Sequence, residues 1–310
     1  MHIKYRPKNF DQVVGNTAII EALKKRTDNR PVLFQGERGC GKTTLAYIIG
    51  NNFGAPKENI IIYDCMNNSE IAKMRDLLES LYGTTLFGKK RVVILEEIHG
   101  LSDKAKEALL APLDGESRER LPDYVQIVAC TTEPQKIKGT LYDRFKKYRV
   151  LPLSDSEALY LINYVAKQEE LTVPKWAKAL LLQKSEGNPR RLLVGLDTIK
   201  DCEIEEHAEH LLEIVKIEED KDVLTLFGTI IKGSYWTTLK EVLNSILKKK
   251  SPNDIRIGLM NLIGARLTSQ YFKEEKDAVN LSTMFDILNE AQGIPEKAKL
   301  INAIYKLRKD

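Results

Sequence analysis

The feature that most constrains the fold is a glycine-rich loop that separates a short apolar run from a helical segment. The loop extends from Gly36 to Thr43 and has the spacing G-x-x-x-x-G-K-[ST]. Its glycines let the backbone curl until successive N–H groups and a helix N-terminus face phosphate oxygens. The alternative interpretation is an ordinary glycine-rich turn with an incidental lysine.

In this motif each polar group has an expected task. Lys42 reaches the outer phosphates of a nucleotide, and the hydroxyl of Thr43 binds Mg2+. The sequence therefore predicts ATP and Mg2+ as cofactors. The predicted nucleotide-binding residues of this segment are Gly36, Gly39, Cys40, Gly41, Lys42, Thr43 and Thr44.

Short apolar runs alternate with polar helical stretches between residues 31 and 151, which is typical of strands and helices around a parallel sheet. The pattern predicts an α/β domain with a parallel five-stranded sheet. The five runs are Val32–Phe34, Ile60–Tyr63, Val92–Leu95, Val125–Ala129 and Tyr148–Leu151.

From Ser154 onward the pattern indicates helices alone. Ser154 followed by Glu157 predicts a capping box, and Gly187-Asn188-Pro189 predicts a helix stop and restart. We therefore predict three domains, which are a nucleotide-binding domain at residues 1–152, a small helical lid at 153–204 and an all-helical domain at 205–310.

Two carboxylates follow the third apolar run. A buried strand that ends in Glu96 and Glu97 needs a reason for its charges, and in P-loop enzymes the first acid holds Mg2+ while the second polarises the attacking water. Glu96 stands where Asp is usual, and a solvated strand end is the alternative. His99 is interpreted as a structural polar residue.

Composition narrows the class of protein. No apolar run approaches about 20 residues, so we expect no membrane association and a cytoplasmic location. The four cysteines lack a paired spacing, which argues against a zinc site. The net charge of +4 is too small to indicate nucleic-acid binding by itself, so any DNA site must be local. We expect an enzyme that hydrolyses ATP to remodel a partner.

The opening segment is the most specific to one family. Lys4 to Gly15 is similar to the K-Y-R-P-x-x-[FL]-x-[DE]-[VI]-[VI]-G start of AAA+ clamp-loader subunits, where it lies against the adenine. The whole chain resembles the small ATPase subunits of sliding-clamp loaders, replication factor C small subunits of archaeal or phage type. The resemblance implies base and ribose contacts by Tyr5, Arg6, Pro7, Val13 and Val14.

Three further motifs carry the resemblance. The segment Thr131 to Ile137 is similar to a sensor-1 strand, which makes Thr132 the phosphate-sensing hydroxyl, with Thr131 as the alternative. Arg144 occupies the arginine of the L-x-S-R-C motif that acts in trans, although Asp143 and Phe145 replace the flanking Ser and Cys, and Asp143 could hold Arg144 back. Arg190 matches the arginine of the sensor-2 motif G-[DS]-x-R.

The resemblance also implies an assembly. We expect a hetero-oligomeric ring with other clamp-loader subunits, including a large subunit, held by a collar formed by residues 205–310. The ring would open a sliding clamp and load it on primer-template DNA. The four-cysteine module of the bacterial subunit is missing, since only Cys65 lies in that region, so the chain looks more like archaeal, eukaryotic or phage subunits.

Two rival functions and two contact surfaces remain open. A Holliday-junction branch-migration motor shares the AAA+ core but ends in a winged-helix domain, and a scaffold would bind nucleotide without turnover. The DNA candidates are Lys73 and Arg75, with Lys104 and Lys106 behind them, and solvated helix faces are the alternative. The clamp candidates, which could instead pack on the sheet, are Met74, Leu77, Leu78, Leu81 and Tyr82.

Overall fold

The computed structural model describes residues 1–83, 88–137, 139–218, 221–231, 235–247, 251–268, 275–289 and 296–307. The chain forms two compact units, Met1–Asp197 and Thr198–Asp310. The division of residues 1–204 into a nucleotide-binding domain and a lid stays a prediction. None of the described helices is long and apolar enough to cross a membrane.

The first unit is built on one parallel sheet, as the sequence predicts. Its five strands lie in the order β2-β3-β4-β1-β5, and every pair is parallel. The last strand begins two residues before the predicted run at Tyr148. The strands are β1 (Val32–Gln35), β2 (Ile60–Asp64), β3 (Arg91–Glu96), β4 (Val125–Thr131) and β5 (Lys146–Arg149).

Helices and short 3-10 turns connect these strands and follow them. The 3-10 turns are Phe10–Gln12, Lys57–Asn59, Ile98–Gly100 and Pro134–Lys136. The α-helices of the first unit are α1 (Thr17–Lys24), α2 (Lys42–Phe53), α3 (Ile71–Ser80), α4 (Asp103–Ala108), α5 (Leu110–Leu113), α6 (Gly139–Tyr142), α7 (Asp155–Gln168), α8 (Lys175–Ser185) and α9 (Pro189–Ile199), which ends just past the boundary between the units.

The central strands are apolar on both faces because helices cover both faces. Successive side chains of a strand point to opposite faces, so Val92 and Ile94 pack with α1 and α2, whereas Val93 and Leu95 pack with α3 and α4. All four side chains are fully or almost fully buried. Burying each side chain of this size contributes about 1.5–3 kcal/mol, so the sheet is the rigid platform for the polar groups at its edge.

The start of the lid region forms as the sequence predicts. The Ser154 side chain accepts from the Glu157 N–H, and the Glu157 carboxylate accepts from the Ser154 N–H, which confirms the capping box of α7. Between α8 and α9, Gly187 has φ +72° and its carbonyl accepts from Leu153 N at 2.8 Å. A Cβ on Gly187 would lie 2.3 Å from Leu153 O, so this turn requires glycine.

The described residues of the second unit are helical, and no strand occurs among them. From Val223 onward the helices share one apolar core that includes Leu226, Leu259 and Ile304. The prediction of an all-helical region is confirmed for this part of the chain. The helices are α10 (Glu205–Glu218), α11 (Lys221–Ile231), α12 (Trp236–Leu247), α13 (Pro252–Thr268), α14 (Glu275–Asn289) and α15 (Glu296–Lys306).

Candidate nucleotide-binding site

The glycine-rich loop leaves β1 and ends at the N-terminus of α2. Gly36, Gly39 and Gly41 have φ of +154°, +85° and +102°, a region that other L-residues rarely adopt. A Cβ on Gly36 would also lie 2.3 Å from Val150 O. Because the first N–H groups of a helix lack intrahelical partners, the loop brings free donors and the positive end of α2 together. That arrangement suits an anion such as a phosphate.

Lys42 lies inside this loop rather than in solvent. Its residue is 6% exposed, and its Nζ donates to Gly36 O at 2.9 Å and to Glu37 O at 2.8 Å. Burial lowers the pKa of Lys42, and the nearby carboxylates of Glu97 and Glu96 partly offset that effect. The Lys42 ammonium can therefore exchange its hydrogen bonds to the two loop carbonyls for hydrogen bonds to phosphate oxygens.

The two predicted acids lie at the carboxyl end of β3. Glu96 is in register with Asp64 of β2, while Glu97 has φ +50°, which turns the chain sharply after the strand. The Oε2 atom of Glu97 accepts from the N–H and from the hydroxyl of Thr132, both at 3.0 Å. The structure therefore brings Glu97 and Thr132 together at adjacent strand ends.

The two threonines at the end of β4 differ in their surroundings. Thr131 is fully buried, and its hydroxyl oxygen accepts from Glu133 N at 3.1 Å and lies 3.0 Å from His99 Nδ1. Thr132 instead contacts Glu97. The geometry favours Thr132 over Thr131 for a role beside a nucleotide, and its sensing of phosphate stays a prediction.

His99 belongs to the same polar cluster, which its sequence context does not indicate. Its side chain is 7% exposed and lies between two carboxylates, with Nδ1 at 3.3 Å from Glu97 Oε2 and Nε2 at 3.3 Å from Glu133 Oε1. His99 is thus a direct neighbour of the predicted catalytic acid, and its interpretation as a structural polar residue stays a prediction. Only the fold could show this contact.

The opening segment is tied to α2 and to the end of α7. Arg6 Nε donates to Thr44 Oγ1 at 3.1 Å, directly behind the glycine-rich loop. Lys4 Nζ donates to Glu169 Oε1 at 2.6 Å, and the Tyr5 hydroxyl donates to the same oxygen. These bonds from Lys4 and Tyr5 hold the pKa of Glu169 below its usual value. Tyr5 and Arg6 thus lie between α2 and the lid region.

Pro7, Val13 and Val14 continue this segment and are half-buried. Val13 packs against the apolar cluster on the α2 side of the sheet. The segment ends where Asn16 bonds both backbone groups of Leu151, accepting from its N–H at 2.9 Å and donating to its carbonyl at 3.0 Å. The contacts of these residues with a base stay predictions.

The remaining predicted residues of the loop and lid lie near the same loop. Cys40 is buried, and burial raises the pKa of its thiol, which disfavours the nucleophilic thiolate form. Arg190 is exposed in the first turn of α9. The residue before this helix, Asn188, contacts the loop directly, since its Nδ2 donates to Arg38 O at 2.5 Å. The sequence placed Asn188 in a helix stop and in the segment that resembles the sensor-2 motif, but it did not indicate the contact with the loop.

Arg144 lies after α6 on a partly exposed surface. Its guanidinium donates to Asp114 Oδ2 at 2.7 Å, and the side chains of Arg144 and Asp114 are 40% and 28% exposed. Asp143 instead pairs with Lys147 at 3.3 Å. The structure thus corrects the expectation for Asp143, because Asp114 is the carboxylate that pairs with Arg144.

The structure corrects part of both predicted contact surfaces. Lys106 is only 6% exposed and its Nζ donates to Lys136 O at 3.3 Å, so it is unsuited to a DNA contact, whereas Lys73, Arg75 and Lys104 are exposed. The proposed clamp-contacting residues Met74, Leu78 and Leu81 are buried in the core below the sheet, and Leu77 is half-buried against it. Tyr82 is 47% exposed.

Thr43 and Glu96 are the predicted metal-binding residues. Thr43 lies in the first turn of α2, and Glu96 ends β3. Hydroxyl and carboxylate oxygens are ligands that Mg2+ accepts, so these two residues fit the ion. Among the described residues no cluster of three or more His, Cys, Asp or Glu side chains could hold a metal.

A parallel sheet with this strand order, a glycine-rich loop between β1 and α2, and a carboxylate pair at the end of β3 are features of the AAA+ type of P-loop fold. Residues 32–153 match the family model "ATPase family associated with various cellular activities (AAA)". The matched residues run from β1 to just past β5 of the first unit.

The chain is similar in sequence to subunits of bacterial DNA polymerase III and of archaeal replication factor C. The chain is 28% identical over 271 residues to DNA polymerase III subunit gamma/tau of Mycoplasma genitalium, which covers 79% of this chain and 43% of that protein. It is 27% identical over 202 residues to replication factor C small subunit of Methanococcus vannielii, covering 63% and 62%. The chain spans less than half the length of the Mycoplasma relative. Bacterial and archaeal types are thus both among its homologues.

Solved structures support the fold alone. The Thermotoga maritima RuvB Holliday junction branch migration motor superposes with a TM-score of 0.55 at 22% identity, covering 77% of this chain and 85% of that chain. At this identity the likeness extends to the AAA+ architecture and carries no assignment of activity.

Proposed function

We propose that this chain is an ATPase subunit of a DNA-replication clamp loader. In this proposal it works in the cytoplasm in a hetero-oligomeric ring with a large subunit, and uses ATP binding and hydrolysis to open a sliding clamp and load it on primer-template DNA. The observation that carries the enzymatic part is the bond pair between Thr132 and Glu97 beside the loop of Lys42. The homology to gamma/tau and replication factor C small subunits supports the clamp-loading part.

The binding step follows from groups already in place. ATP would lie between the opening segment Tyr5–Gly15, the loop Gly36–Thr43 and Arg190 of the lid. Lys42 would exchange its bonds to Gly36 O and Glu37 O for phosphate oxygens, which restores full charge pairing to a buried ammonium. Thr43 and Glu96 would hold Mg2+, which neutralises phosphate charge when bound.

The hydrolytic step requires Glu97 to accept a proton from water. In the structure Thr132 occupies two acceptor positions of the Glu97 Oε2 atom, so that oxygen is oriented but engaged. A phosphate that draws the Thr132 hydroxyl away would free the carboxylate to orient the attacking water. Thr132 would thereby report the presence of the outer phosphate to the general base.

The step between subunits falls to Arg144. In a ring, Arg144 would leave Asp114 and donate to the ATP bound by the neighbouring subunit, because bidentate guanidinium suits phosphate oxygens. ATP binding would then hold neighbours together, and hydrolysis would weaken that interface. The clamp would close and be released as a consequence.

A non-hydrolysing scaffold is the second candidate function. The observation that favours it is Glu96, which places a longer side chain than the usual Asp at the end of β3. A longer arm changes the distance at which the carboxylate can meet Mg2+ or its water, so nucleotide could bind without turnover. The presence of Lys42, Thr43 and Glu97 supports hydrolysis instead.

Steady-state ATP hydrolysis tests the proposal. The purified chain is assayed alone and with its companion subunits, a sliding clamp and primer-template DNA, with Lys42→Ala as the control. We expect strong joint stimulation by clamp and primed DNA that the control loses. Turnover that stays flat in the complete mixture would support the scaffold, and stimulation by branched DNA without a clamp would support the Holliday-junction motor.

A further inference from the structure

Asn188 connects two parts of the nucleotide-binding site that are distant in sequence. It lies between Gly187 and the start of α9, it is 4% exposed, and its Nδ2 donates to Arg38 O at 2.5 Å. Its Oδ1 accepts from the N–H groups of Arg190 at 3.1 Å and Arg191 at 3.2 Å. One side chain therefore caps the lid helix and bonds to the glycine-rich loop.

The loop is shaped around this amide. A Cβ on Gly39 would lie 2.5 Å from Oδ1 and 2.8 Å from Nδ2 of Asn188, closer than real side chains approach. Gly39 is thus required for two reasons, because its φ of +85° favours glycine and because the Asn188 amide lies directly on it. The packing of the Asn188 amide on Gly39 therefore helps to define the conformation of the glycine-rich loop.

Helix capping alone does not account for asparagine here. Ser, Asp and Asn cap helices about equally well, since each supplies an oxygen to the first free N–H groups. The amide accepts from the helix through its oxygen and donates to a carbonyl on the far side through its nitrogen, so two different atoms make the two contacts. A carboxylate lacks the donor, and the shorter serine side chain lacks the reach to Arg38 O.

We propose that Asn188 is a positioning residue that couples the lid helix α9 to the phosphate-binding loop, so that the ordered loop sets the place of Arg190. The inference rests on the nucleotide-binding part of the proposed function. Because Arg190 is joined to the Asn188 oxygen through its own N–H, a shift of the loop carries the start of α9 with it. The backbone of Arg190 is then already positioned near the phosphates when the nucleotide binds.

Hydrogen exchange in the nucleotide-free protein tests the link itself. Asn188→Ser keeps a capping oxygen but loses the bond to Arg38, and we expect the amides of residues 36–41 to exchange about fivefold faster, the effect of losing one net hydrogen bond. The first turn of α9 should exchange as in the wild type. Unchanged exchange of the loop would overturn the proposal.

Ser154→Ala is the matched control for that experiment. It removes the cap of another lid-region helix, α7, without touching the loop. We expect faster exchange at the start of α7 and none of the change in residues 36–41. If Ser154→Ala opens the loop as much as Asn188→Ser does, the effect is general loosening of the lid and the proposal is wrong.

A double-mutant cycle tests the delivery of Arg190. The affinity for ATP is measured by calorimetry for the wild type, Asn188→Ser, Arg190→Ala and the double variant. We expect Asn188→Ser to weaken ATP binding about fivefold alone and less than about twofold in the Arg190→Ala background, because coupled residues are not additive. Additive losses would overturn the proposal. A wild type that fails to bind ATP would contradict the proposed function instead, and the exchange experiment would still decide the link.

Discussion

Lys42 and Arg144 are two cations of one domain that the AAA+ resemblance assigns to ATP, and the structure holds them in opposite ways. Lys42 is 6% exposed and donates to two main-chain carbonyls of its own loop. Arg144 has a 40% exposed side chain and bonds one carboxylate, that of Asp114. One cation is fixed by the backbone around it, whereas the other rests on a replaceable side-chain partner.

This difference in burial suits Lys42 to act on a nucleotide bound by its own chain and Arg144 to act on one bound by a neighbouring subunit. A buried ammonium has lost water on every side, so its partners must be close and permanent until an anion arrives. An exposed ion pair contributes about 0–1 kcal/mol, and another anion can take the arginine at little cost. The following predictions test that contrast, from the largest expected effect to the smallest.

Lys42→Ala should have the largest effect. It removes a preorganised donor from the phosphate site, and loss of one such donor costs about 10²–10³-fold in turnover. We expect ATP hydrolysis near background and weaker ATP binding by calorimetry. Lys106→Met is the matched control, since Lys106 is equally buried but bonds Lys136 O outside the loop. Equal losses of turnover in both folded variants would contradict the assignment of Lys42.

Glu97→Gln should separate hydrolysis from binding. The amide keeps the size of the side chain but cannot accept a proton, so we expect kcat to fall about 100-fold while the Kd for ATP changes less than about twofold. Single-turnover hydrolysis and calorimetry measure the two quantities. Glu133→Gln is the control, because Glu133 contacts the same histidine from the far side. A turnover in Glu133→Gln as low as in Glu97→Gln would assign the effect to the cluster rather than to Glu97.

Arg144→Ala should reduce ATP hydrolysis only when the chain is assembled with other subunits. We expect no change in the Kd for ATP of the isolated chain and about a tenfold loss of hydrolysis in the complete ring, less than the full effect of a trans arginine because other interfaces keep theirs. Lys147→Ala is the control at the same edge, since Lys147 pairs with Asp143. An equal loss of hydrolysis in the isolated Arg144→Ala chain would place the arginine in its own site and end the contrast with Lys42.

The sequence predicts the parts of this comparison that depend on local spacing. The loop around Lys42 and the strand that ends in Glu96, just before Glu97, follow from glycine positions and apolar runs, and both are where the pattern places them. The contact partners of the functional residues cannot be predicted from local spacing, because those partners lie far away in the sequence. Asp114 and Arg144 are 30 positions apart and Arg38 and Asn188 are 150, as their numbers show, and no short motif encodes either contact.

The predicted clamp and DNA contact surfaces were partly wrong because a local pattern does not show which face of a helix is buried. The spacing of Met74, Leu78 and Leu81 is that of a helix with one apolar face, and the same spacing serves a core or a partner surface. The structure places that face on the sheet. Lys106 shows the same limit for charge, since its long stem allows burial while the ammonium finds the carbonyl of Lys136.

Asp114→Asn should have the smallest effect and is the sharpest test of how replaceable the partner of Arg144 is. Because the pair is partly exposed, we expect the free energy of unfolding to fall by less than about 1 kcal/mol in low salt. The loss should be smaller still in about 0.5 M salt, because salt screens the attraction between exposed charges. Urea unfolding at the two salt concentrations measures both. A loss above about 2 kcal/mol that salt does not reduce would mean that Asp114 fixes Arg144 structurally, and the arginine would then be held as firmly as Lys42.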